Sequence, residues 1–97
     1  MKPFRWGAEK NDRLMQERGI SFEQMVVAIE AGGLLDVLDH PNASKYPNQK
    51  ILVVVSDGYA YLLPFVEQDD HFFLETVIPS RKATRDYLNQ GEHNAED

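Results

Sequence analysis

Three cations crowd the segment Ile78-Pro79-Ser80-Arg81-Lys82-Ala83-Thr84-Arg85-Asp86-Tyr87. With Ser80 as the cap of a helix, Arg81 and Lys82 fall in its first turn. There they oppose the helix dipole, at a cost of about 0.3–1 kcal/mol each when exposed. Unpaired amides at that end already attract anions. A planar guanidinium fork and an ammonium point charge beside them make a compact site for a phosphate. The competing reading is pairing with Glu67, Asp69, Asp70 or Glu75 on the preceding segment.

A second basic group, Lys10, Asn11 and Arg13, poses the same choice. Lys10 and Arg13, three apart, share one helix face, while Glu9 and Arg13 at i, i+4 have the spacing of a surface ion pair. His40, beside Pro41, is a loop residue able to move a proton near neutral pH or simply to face solvent. Tyr46 and Tyr87 read first as packing residues, and Phe4, Trp6 and Phe22 as core rather than platforms for stacked bases. His40, His71 and His93 lack the spacing of metal ligands, and without cysteine there is neither a thiolate nucleophile nor a disulfide framework. No metal or cofactor is expected.

Charge is unevenly spread. The chain is −6 overall, which argues against a nucleic-acid binder taken whole. Yet residues 1–20 set Lys2, Arg5, Lys10, Arg13 and Arg18 against Glu9, Asp12 and Glu17, and residues 79–87 set three cations against Asp86. If the two segments meet in the fold, one face is positive. The longest aliphatic run, Ile51 to Val55, is far short of the ~20 residues of a membrane span. The opening residues lack a signal peptide's apolar stretch, so a soluble, cytoplasmic protein is expected.

The elements that must position these residues read clearly. Ninety-seven residues, 42% apolar and 27% charged, make one globular domain over residues 1–88. An acidic tail, 89–97, reads as unstructured. Phe4 and Trp6 mark a short strand. Ala8–Glu17 is rich in helix formers and stops at Gly19. Ser21-Phe22-Glu23-Gln24 is a capping box, in which Gln24 is expected to reach back, with Ile20 and Met25 as its hydrophobic staple. Phe22, Met25, Val26 and Ile29 fall on one face of the helix that follows, which Gly32-Gly33 ends. Leu34–Leu38, Ile51–Val55, Tyr59–Val66 and His71–Ile78 then read as four strands of an antiparallel meander. Asp57-Gly58 is a hairpin turn, and Pro64 predicts an edge position or a bulge. The expectation is an α+β fold: strand, αα-hairpin, four-stranded meander and short C-terminal helix.

Phe4-Arg5-Trp6 with Lys10-Asn11, then Arg18-Gly19-Ile20-Ser21-Phe22-Glu23, and finally Arg81-Lys82-Ala83-Thr84, resemble in order the BrnT family over about residues 4–88. BrnT proteins are toxins of bacterial type II toxin–antitoxin systems with a RelE-like fold. The resemblance implies a metal-independent endoribonuclease that arrests growth. It implies as partners an RNA substrate and an antitoxin whose ribbon-helix-helix domain binds DNA, so that DNA is met only through the antitoxin. It makes Arg81 the phosphate clamp and Lys10 and Arg18 supporting cations. Lys82, Arg85, Arg13 and Asn11, from the two basic groups above, are the candidates for further substrate contacts. The general base stays open between Tyr87 and His40. The alternative is a catalytically silent relative that docks an antitoxin-like partner through its sheet.

Overall fold

The computed structural model describes residues 2–89. Strand β1 (Phe4–Arg5) leads through Gly7 into helix α1 (Ala8–Arg18), which Gly19 closes in the left-handed conformation, with its N–H on the carbonyls of Leu14 and Met15. Ser21 then caps α2 (Phe22–Ala28) by accepting from the Gln24 backbone N–H at 3.0 Å. The other arm of the expected capping box does not form. The Gln24 side chain crosses instead to Ser56 Oγ, 3.2 Å away, and ties the start of α2 to the sheet. Ile20 and Met25 are both buried in one cluster with Leu14 and Phe22, as a staple requires.

A π-helical turn (Ile29–Gly33) links α2 to β2 (Leu34–Asp39). Here a Cβ on Gly33 would lie 2.6 Å from the Val55 carbonyl oxygen and 2.7 Å from that of Ala28. Only glycine lets these two backbones approach so closely. Strands β3 (Gln49–Ser56) and β4 (Tyr59–Glu67) follow, joined by Asp57-Gly58, both at positive φ as a tight two-residue hairpin demands.

Two expectations about the meander need correction. The fourth strand is split into β5 (Phe72–Leu74) and β6 (Ile78–Pro79), both paired with β4. Strand β4 is interior, in the order β1-β5-β4-β3-β2, so Pro64 marks neither an edge nor a bulge in its pairing with β3. One cause accounts for both. Counting the alternation from the Ser56–Tyr59 turn pair, the Pro64 nitrogen points away from β3 and toward the split strand. Proline offers no donor there, and the ladder breaks at that point. Glu75 N–H bonds the Pro64 carbonyl at 2.9 Å, and Val77 turns into the core. The sheet is also mixed rather than wholly antiparallel, because β1 pairs parallel to β5.

After β6 comes α3 (Arg81–Leu88). Side-chain alternation along β3 and β4 sends Leu52, Val54, Leu63 and Phe65 to one face, under α1 and α2, and Val53, Ala60 and Leu62 to the other, under Ala83 and Leu88 of α3. The fold is α+β, with helices on both faces of one sheet. Among the described residues no helix is long and apolar enough to cross a membrane. Apart from Asn89, the acidic tail lies outside the described residues.

Candidate anion-binding face

The start of α3 is fastened to β4 by backbone and side chain together. Beyond the end of β6, Ala60 has a free N–H and carbonyl on that side of β4. Ser80 N–H bonds the Ala60 carbonyl at 3.0 Å, and Ala60 N–H bonds Thr84 Oγ1 at 2.9 Å. Thr84 in turn donates to the Ser80 carbonyl at 2.8 Å, and Ser80 Oγ accepts from Ala83 N–H at 3.0 Å. Ser80 is thus the cap the sequence indicates. The role of Thr84 was missed, although a threonine four residues after a cap has the spacing to bond back.

This arrangement fixes the first turn of α3, with Arg81 and Lys82 exposed on it and Arg85 exposed one turn on, while Ala83 faces the sheet. None of the four acidic groups expected to pair with them does so. Glu67 accepts from Lys2 at 2.8 Å and Asp70 binds His71 at 2.7 Å, and these two contacts pull both carboxyls below their usual range. Lys82 and Arg85, both well exposed, share the half-buried Asp86 at 3.9 and 3.5 Å. Arg81 forms no hydrogen bond or ion pair among the described residues.

The general-base candidates fare differently. The Tyr87 hydroxyl donates to Asp36 Oδ2 at 2.6 Å. That bond, with some burial and the negative charges of Asp36 and Asp86, raises its pKa above 10. This bond, which commits the hydroxyl proton to Asp36, stands against Tyr87 as the general base. Asp36 itself, whose Oδ1 accepts from Val37 N–H at 2.8 Å, gave no sequence signal because it reads as one strand residue among others. His40 is half-buried against Tyr46, with ring centroids 4.7 Å apart, rather than exposed. Its Nδ1 accepts from Asn42 N–H at 2.9 Å, so the lone pair a base would use shapes the loop instead.

On α1 the picture changes again. Asn11 is a clamp within the αα-hairpin: its Oδ1 accepts from Phe22 N–H at 2.8 Å, and its Nδ2 donates to Glu23 Oε1 at 2.7 Å. The amide bond, with the Glu23 backbone N–H, holds that carboxyl below its usual 4.5. The expected Glu9–Arg13 ion pair is not among the contacts of the described residues. Lys10, Arg13 and Arg18 lie on the helix that covers the opposite face of the sheet from α3. The cations of α1 therefore do not merge with those of α3 into one surface. Phe4, Trp6 and Phe22 belong to the core as expected, with Trp6 stacked on Phe22 at 5.6 Å.

Beside α3, Leu38, Val53, Leu62, Ala83 and Tyr87 line a recess of about 190 Å³ with Lys82 at its edge. Across the sheet, Phe4, Leu34, Val37, Leu52, Phe65 and Phe72 wall another of about 210 Å³. Among the described residues no three histidine or acidic side chains gather as a metal site needs. What the α3 face can do chemically is hold an anion. No family model, curated protein or solved structure matches this chain.

Proposed function

We propose that the chain is a BrnT-like, RelE-like toxin of a type II toxin–antitoxin system, a cytoplasmic endoribonuclease that works without a metal. The observation that carries this reading is Arg81, exposed and without a partner among the described residues, on a helix start that Ser80, Thr84 and Ala60 hold in place. In cleavage of this kind the ribose 2′-oxygen gives up its proton and attacks the adjacent phosphorus. The 5′-oxygen leaves with a proton, and a cyclic phosphate remains. A guanidinium on the non-bridging oxygens is worth most where negative charge builds up during attack. Lys82 and Arg85 add attraction for the flanking phosphates. The partners are RNA and an antitoxin with a ribbon-helix-helix domain, through which alone DNA is met.

A second reading, a silent binding module for an antitoxin-like partner, is favoured by a separate observation. Tyr87 and His40 are committed to Asp36 and Asn42, and Lys10 and Arg18 ride on the opposite layer. Digestion of total bacterial RNA in EDTA, with wild type beside Arg81→Ala, separates the two. Cleavage by the wild type alone is the expected result. Intact RNA from folded wild-type protein would leave the binding module.

A further inference from the structure

A bulge decides which way two side chains of β2 point. Leu34 stands opposite Val54 and Asp36 opposite Val53, so Leu35 has no partner of its own in β3. One extra residue reverses the alternation beyond it. Leu34 and Val37, three apart, therefore share the face that carries α1 and α2, opposite Val54 and Leu52. On the same face, the parallel pairing of β1 with β5 sets Phe4 beside Phe72, with ring centroids 5.6 Å apart. Phe72 in turn meets Phe65 edge-on at 5.4 Å. Between these two walls, over Leu52 and Phe65, lies the recess of about 210 Å³, and every residue lining it comes from the sheet.

The rim and the size specify the occupant. Lys2 bonds Glu67 at 2.8 Å on one side. On the other, the half-buried Lys50 faces Asp39 across the ladder and forms no hydrogen bond or ion pair among the described residues. Two cations and two carboxylates leave the rim without a net charge that would select an ion. A cavity of about 150 Å³ with aliphatic and aromatic walls stays dry and takes up benzene. The larger volume here has room for a second ring or a substituent. Phe4, Phe65 and Phe72 offer ring edges and faces at the offsets that aromatic pairs favour. We infer that this recess is a binding site for a small neutral aromatic molecule about the size of indole. It lies on the opposite face of the sheet from α3, so the inference stands apart from RNA cleavage and from the anion-binding face.

The test uses the full chain, isotope-labelled for NMR, titrated with indole, indole-3-acetate and tryptamine. The expected result is saturable shifts at Val37, Leu52, Phe65 and Phe72 with indole. The two charged analogues should bind within about fivefold of each other, as a balanced, solvated rim allows, and neither more tightly than indole. Val37→Phe fills the mouth from a position that is 47% exposed and should weaken indole roughly tenfold or more. Val27→Phe, on the outer side of α2, should leave binding unchanged. Lys50→Gln, a second variant that does not depend on the first, should tip the rim severalfold toward tryptamine. No saturable shifts, shifts centred on α3, or an equal loss from Val27→Phe would overturn the inference. So would a charged analogue bound tenfold more tightly than indole, or a dimer in sedimentation that Val37→Phe dissolves, since a second copy would then be the occupant.

Discussion

Asn11 shows how one side chain can be read two ways. Next to Lys10 and Arg13 it looks like a substrate contact, yet both ends of its amide are used inside the αα-hairpin. Asn11→Ala leaves the part-buried Phe22 N–H without a partner, at about 1–2 kcal/mol. In a domain of this size that is roughly a 4–16 °C fall in Tm. The pH dependence has a definite sign. Because Asn11 lowers the folded-state pKa of Glu23, the ionic part of the bond is fully present above the usual 4.5 and is lost as pH falls through the lower folded value. Thermal melts of wild type and variant should therefore converge partly in acid. They should not coincide, since the Phe22 bond does not titrate. An equal gap at every pH would remove Glu23 from the explanation.

Among the elements, local grammar was legible wherever one or two adjacent residues decide the outcome. Ser21 and Ser80 cap their helices, Gly19 ends α1, and Asp57-Gly58 turns the hairpin. What escaped was set by partners distant in sequence. Nothing near Pro64 reveals that its missing donor faces a strand that then splits, nor does the capping box reveal that Gln24 prefers Ser56. The candidate site divides the same way. The three cations of α3 are together because they share one short helix, whereas the Lys10 group was assigned to their side without knowing which face α1 covers. Gly33 tests the longer-range side of the fold. Gly33→Ala forces a methyl between the Val55 and Ala28 carbonyls and should cost about 1–3 kcal/mol in denaturant unfolding. A neutral result would mean that the π-helical turn relaxes freely.

For the whole molecule, the separation of its two basic groups limits how strongly it can hold a polyanion. Only Arg81, Lys82 and Arg85 act together, and Asp86 offsets one of them. Three phosphate contacts on a single strand give a salt slope of about −2, so affinity for a single-stranded RNA with 2′-O-methyl sugars, which cannot be cleaved by 2′-oxygen attack, should fall roughly tenfold to twentyfold between about 50 and 200 mM salt. A much steeper fall would mean that the α1 cations reach the same strand. Arg81→Ala should leave stability within about 0.5 kcal/mol, as surface changes away from caps and cores do. A large drop in Tm would make Arg81 a structural residue.

The parallel pairing of β1 with β5 bears on the order in which the chain is made. Phe4 leaves the ribosome 68 residues before its partner Phe72. At roughly 5–20 residues per second, the first strand waits several seconds for its neighbour. The β2–β3–β4 hairpins close locally in the meantime, and the long loop from β1 is closed last, as its entropy dictates. A chain stalled before β5 therefore carries its cation-bearing helix nowhere, since α3 has not yet been translated. Whatever this molecule does to nucleic acid or to a partner through α3, it cannot begin until translation has passed β5 and β6 and reached that helix.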